Sequence, residues 1–148
     1  MNTTQIEKIL FQNNITRRFF VGCFAADKIP TDITKFPASM IVNLDRAINE
    51  GSHWIGLFAL NKTTIYILDS LLIPNLPSTI NNFLSKFPKQ IKNKILLQSP
   101  LSTECGQHCI VFLYFISLGY TFEKYLHILN SYSNPDEFVR IIVNKLLY

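Results

Sequence analysis

The stretch that decides the fold is HWIGLFALNKTTIYILDS, residues 53–70. Two apolar runs, 53–60 and 63–70, flank the polar pair Asn61-Lys62. Both are rich in β-branched and aromatic residues, so they read as two strands of a hairpin. Each is apolar on both faces, which places the strands centrally in a sheet covered on two sides. The length of the connection sets the pairing. A three-residue connection, 60–62, puts Ala59 opposite Thr63 and His53 directly opposite Asp69, with Cβ atoms about 5 Å apart. A two-residue connection would send the two side chains to opposite faces. The odd-length loop, or a bulge, is expected. A carboxylate ending an apolar strand is costly to bury alone, and an imidazole is its natural partner.

Outward from this hairpin the chain alternates apolar runs with turn signals. Upstream, residues 4–11 read as a helix ended by Asn13-Asn14. RRFFVGCFA (17–25) and SMIVNL (39–44) read as strands, and KIPTDITKFPA (28–38) as a loop broken by Pro30 and Pro37. DRAINEGS (45–52) turns the chain. Downstream, PSTINNFLSKF (77–87) is a helix with Pro77 and Ser78 at its start, and KILLQ (94–98) is a further strand. Helical patterns then cover 104–118, 121–129 and 135–147. The last opens with Asn134-Pro135-Asp136-Glu137, a cap, a first-turn proline and two acids. Strands first and helices later predict an α+β domain, with 1–148 as a single domain.

Composition narrows the class. The chain is 48% hydrophobic and 16% charged, which argues against disorder. Its longest apolar run, 109–118, has ten residues including one serine, too few to cross a bilayer, and reads as a core helix. The first ten residues carry an acid and no cleavable apolar segment, so an intracellular protein is expected rather than a secreted one. The three cysteines, Cys23, Cys105 and Cys109, show no disulfide framework, and no paired spacing completes a zinc site. The net charge of +4 permits weak attraction to nucleic acid, although a solvated basic surface is the simpler account.

The second informative stretch is QSPLSTECGQHCIVFLYF, residues 98–115. Cys105 stands at the mouth of the apolar helix. Unpaired first-turn N–H groups and the helix dipole there stabilise a thiolate, the usual route to a reactive cysteine. Gly106 adds no side chain and lets a substrate backbone come close. Such a nucleophile needs a base. His108, in the same helix, reads as a surface or packing residue, and His127 as structural in an apolar helix. His53 is the candidate, with Asp69 orienting its ring. Gln98, seven residues before Cys105 at a strand end, is a candidate oxyanion donor. Taken singly, Cys105 reads as a buried thiol, Asp69 as a strand-end cap and Gln98 as a solvated loop residue. Cys109 reads as core packing.

In order, GSHW, YILDSL and LQSPLSTECGQHC resemble the adenovirus proteinase (adenain) family, within the superfamily that includes the SUMO- and ubiquitin-like proteases. FFVGCFAADKIP and MIVNLDRAINEGSHW are similar to the N-terminal half of that family, and the likeness covers roughly residues 5–130. The resemblance implies a papain-like α+β fold of the adenain type, a central mixed sheet with the active-site helix packed on it. It also implies a cysteine protease with Cys105 as nucleophile, His53 as general base, Asp69 as orienting acid and Gln98 as oxyanion donor. Trp54 would line a narrow channel favouring glycine-containing sites, Gly-Gly or Gly-x-Gly. The implied substrates are virion or capsid precursors, cut in an infected cell (a virion factory or the nucleus) or inside the virion, by a monomer that does not contact membranes. The sequence itself calls for no cofactor. The resemblance adds DNA, through Lys86, Lys89, Lys92 and Lys94, and an activating peptide. The chain departs from the family in its aspartate where adenoviral members carry glutamate, in its shorter length, and in lacking a position for the peptide-linking cysteine. An isopeptidase removing ubiquitin-like modifiers and an acetyltransferase are the rival activities, and an inactive binding module is the non-enzymatic one.

Overall fold

The computed structural model describes residues 1–46 and 53–148. The turn expected at 45–52 therefore lies largely outside the described residues. Among the described residues five strands form one mixed sheet in sequential order: β1 (Phe20–Ala25), β2 (Ala38–Asn43), β3 (Trp54–Ala59), β4 (Thr64–Leu68) and β5 (Lys89–Lys92). The outer pairs β1–β2 and β4–β5 are parallel, and β3 is antiparallel to both its neighbours. The helices are α1 (Thr3–Gln12), α2 (Ser78–Leu84), α3 (Cys105–Ser117), α4 (Phe122–Asn130) and α5 (Pro135–Leu147). The architecture is α+β.

Alternation along the central strands sorts side chains into two cores. Ile41, Phe58 and Leu68 face α1, α3, α4 and α5, whereas Met40, Val42, Leu57 and Ile67 face α2 and the chain around residues 29–36. The sheet is thus covered on two sides, as the doubly apolar runs predicted. α3 is apolar nearly all round and is buried accordingly. It lies against β3 at Gly56, where an added Cβ would stand 3.0 Å from Phe112 Cδ1. Gly119, at φ +108°, ends this helix, and its N–H donates to the Ile116 carbonyl. Asn2, Thr121 and Asn134 cap α1, α4 and α5 through their side chains.

Several expectations are corrected. Residues 16–18 form a 3-10 turn, so β1 begins at Phe20 rather than Arg17. The hairpin register is shifted by two residues: Ala59 pairs with Ile65 and Gly56 with Leu68. The connection still has three residues, but they are 61–63, because the Asn61 side chain accepts N–H bonds from Thr63 and Thr64 and makes the turn itself. His53 and Asp69 therefore keep the same parity and meet diagonally instead of face to face. The KILLQ strand does not form; the fifth strand is Lys89–Lys92. Asn93 ends it by bonding both the N–H (2.9 Å) and the carbonyl (2.8 Å) of Asp69, which imitates one more rung of the ladder. His127 is exposed, because it lies on the face of α4 opposite buried Phe122, Tyr125 and Leu129.

Gly56→Ala is expected to destabilise the protein by about 1–3 kcal/mol, since the methyl must displace the Phe112 ring in a packed core. A lowered urea midpoint at constant m would show it, and an unchanged midpoint would mean that α3 can retreat freely.

Candidate active site

The end of the sheet where β3 begins and β4 stops meets the first turn of α3. His53 immediately precedes β3, and its carbonyl accepts the Leu44 N–H. Asp69 immediately follows β4. Parity and proximity bring the two together: His53 Nε2–H donates to Asp69 Oδ1 at 2.8 Å. Asp69 is completely buried, and its charge is met on every side. Oδ1 also accepts the Leu71 N–H at 3.1 Å, Oδ2 accepts the Ile73 N–H at 2.8 Å, and Lys92 Nζ lies 3.8 Å from Oδ2. The 69–73 turn that delivers these N–H groups holds Leu72 in the left-handed region at φ +51°, a conformation a leucine adopts only when its neighbours enforce it. Burial pushes the Asp69 carboxyl up, but His53, the Ile73 N–H and Lys92 outweigh it and hold the pKa below the usual carboxylate value.

With Nε2 committed to Asp69, Nδ1 is the ring nitrogen left for the thiol. Among the described residues it has no hydrogen-bond partner, yet imidazole and sulfur are near enough to shift each other. Burial lowers the pKa of His53, and the bond to Asp69 and the interaction with Cys105 overcome that, raising it to about 9. At Cys105 burial raises the pKa. The His53 interaction, the Trp54 backbone N–H and the Gly106 N–H prevail and bring it below the ordinary thiol value. The two shifts run in opposite senses, which favours the thiolate–imidazolium form of the pair over the neutral one. Cys105 is partly exposed, as a working nucleophile requires. The thiols of Cys23, itself partly exposed, and of buried Cys109 are shifted the other way. Burial pushes Cys23 up to about 12 and Cys109 well above a normal thiol, and Cys109 S–H donates to the Trp54 carbonyl at 3.5 Å inside the core.

Trp54 thereby acts through its main chain. Its N–H interacts with Cys105 and its carbonyl with Cys109, four residues further along α3. The strand start is docked across one helical turn, which delivers His53 to the sulfur. Its indole is half-buried against the larger core. Gly106 is buried, and the place of a Cβ on it faces Ile6 and Met1 at 3.5 Å. That side is filled by α1 and by Met1 rather than open to a substrate, so the contribution of Gly106 to the site is its N–H. α3 has no side-chain cap, because the carboxylate of its N-cap residue Glu104 turns to Arg140, Nη2–Oε1 2.8 Å. The first-turn N–H groups stay available for negative charge.

Gln98 lies in a loop, not at a strand end, and is only 2% exposed. Its Oε1 accepts the Ser70 hydroxyl at 2.6 Å and its Nε2 donates to the Ser102 carbonyl at 2.9 Å. A carbonyl only accepts, so the amide orientation is unambiguous. One Nε2–H is engaged and the second is left over. Ser70 and Asn93 are site residues that the sequence did not reveal, and Lys92, expected only as a DNA contact, stands beside Asp69. Ser70 stands beside Asp69, but nothing local marks its partner twenty-eight residues away.

Among the described residues no group of three or more metal-ligating side chains gathers, and no helix is long and apolar enough to cross a membrane. The chain matches no protein-family model, and no curated protein matches it. What these residues can do follows from their own chemistry: a partly exposed thiol of lowered pKa beside an acid-oriented imidazole suits nucleophilic attack on a carbonyl carbon.

Iodoacetamide at neutral pH is expected to label Cys105 well ahead of Cys23 and Cys109. His53→Ala removes the cation and slows that labelling about tenfold or more, as the thiol returns toward a few per cent ionised. Mass spectrometry of the labelled cysteines reads both. Equal rates in variant and parent would mean that the imidazole does not sustain the thiolate.

Proposed function

We propose that this chain is a cysteine endopeptidase of the adenain-like kind, cutting virion or capsid precursor proteins at glycine-containing sites. The observation that carries the proposal is the Asp69–His53–Cys105 series, in which a buried carboxylate holds an imidazole against a partly exposed thiol at a helix N-terminus. The arrangement of α3 on a mixed sheet supports a papain-like architecture. The order His, Asp, Gln, Cys and the likeness of the surrounding strings to adenain support the substrate class.

In this mechanism the Cys105 thiolate attacks the scissile carbonyl carbon. The carbonyl oxygen gains the negative charge, and the Cys105 backbone N–H and the second amide proton of Gln98 stabilise it. As the tetrahedral species collapses, the C–N bond breaks and His53 Nδ1–H gives its proton to the departing amine. The acyl group remains as a thioester on Cys105. The neutral imidazole then takes a proton from water, the hydroxide attacks the thioester, and the acid product leaves with the thiolate restored. Asp69 keeps Nε2 protonated throughout, so the nitrogen facing the sulfur is the one that exchanges the proton. Trp54 would restrict the approach channel to residues without side chains.

Incubation with precursor-derived peptides containing Gly-Gly or Gly-x-Gly is expected to give cleavage after glycine, and Cys105→Ser is expected to abolish it. The rate should rise as pH passes the lowered thiol pKa and fall as His53 loses its proton near pH 9. Processing that persists in Cys105→Ser would end the enzymatic proposal. Preferential release of a ubiquitin-like Gly-Gly tail would make the activity that of an isopeptidase.

A further inference from the structure

A second buried carboxylate–imidazole pair lies one turn inside the helix that carries Cys105. His108 is 0% exposed, and its Nε2–H donates to Asp136 Oδ1 at 2.8 Å. Asp136 stands in the first turn of α5, and its other oxygen accepts the Ser99 N–H at 3.1 Å. Burial outweighs Asp136 and lowers the His108 pKa, so the ring is neutral, with its proton on Nε2 and an Nδ1 that has no partner among the described residues. One turn further along α5, Arg140 brings Nε and Nη2 to Glu104 Oε1 at 3.2 and 2.8 Å. Ser99 follows Gln98 and Glu104 precedes Cys105. The two ends of the segment joining the oxyanion donor to the nucleophile are thus both gripped by one face of α5.

We propose that α5 is a clamp on this segment: Asp136, set by His108, positions Gln98 through Ser99, and Arg140 draws the Glu104 carboxylate off the first turn of α3. Within the segment, Gln98 Nε2 reaches Ser102 and the Ser102 N–H donates to the Ser99 carbonyl at 3.0 Å. A shift at Ser99 therefore moves the amide that meets the oxyanion. Released from Arg140, Glu104 would return negative charge to the thiolate and compete for the same N–H groups. Asp136, His108 and Arg140 are positioning residues. None of them need touch the substrate.

The inference rests on the endopeptidase proposal, and its two ends have different signatures. His108→Leu leaves Asp136 half-satisfied; kcat on a glycine-site peptide is expected to fall about tenfold with KM and the iodoacetamide rate within about twofold, because the thiolate is intact and only the oxyanion contact is displaced. His108→Gln, whose amide spans the same reach and can donate to Asp136, is expected to restore kcat to within about twofold. Arg140→Leu, at a half-exposed position that threatens folding little, is expected to shift the pH profile of Cys105 alkylation upward and to slow turnover with it. A parent chain without peptidase activity would overturn the endopeptidase proposal and this inference together. An active parent would overturn the clamp alone if Arg140→Leu left the alkylation profile in place, or if folded His108→Leu kept the parental kcat.

Discussion

The contact on which the site depends is the close approach of α3 to β3. Gly56 gives the Phe112 ring room against the strand, and the Trp54 main chain is bonded across the first turn of the helix. These two contacts set the helix axis and its rotation. They leave Cys105 at the sheet end, where His53 arrives from β3 and Asp69 from β4. A larger residue at position 56 would push the helix outward, and the sulfur with it. The packing is thus a condition of the chemistry, since an imidazole governs a thiol only at short range.

Charge is buried here under strict terms. Asp69 is fully buried, yet its oxygens meet an imidazole, two N–H groups and a lysine. Such saturation is what makes a buried carboxylate tolerable. It also raises the basicity of the imidazole it bonds, because an ionised Asp69 favours the protonated His53 ring. The same economy recurs at Asp136, whose two oxygens serve His108 and Ser99. Both carboxylates stand where one element ends and another passes close by, and each ties parts of the chain that are distant in sequence. At both places the carboxylate oxygens are spoken for.

Local patterns carried much of the fold. The doubly apolar runs around Asn61-Lys62 announced central strands, and the capping residue Asn134 announced α5. The boundaries that went astray were those set by distant partners. Lys89–Lys92 pairs with β4, whereas the more apolar 94–98 does not, because Asn93 takes the next rung with its side chain. The hairpin slipped by two residues because Asn61 built the turn from its side chain. A shift of two preserves the face of every residue, so the association of His53 with Asp69 survived the error in register.

By itself the sequence determined the kinds of group available: two strands apolar on both faces that must be covered twice, a cysteine at the start of a helix, and a histidine and an acid at the outer ends of the two strands. Those are properties of spacing, and spacing acts locally through backbone geometry. Only the tertiary structure decided that His53 points Nε2 at Asp69, that Gln98 is gripped by Ser70 and Ser102, and that Glu104 is drawn away by Arg140 from a helix thirty-six residues on. Hydrogen bonds and ionisation depend on distances of a few ångströms between groups far apart in the chain, and no local pattern encodes those distances.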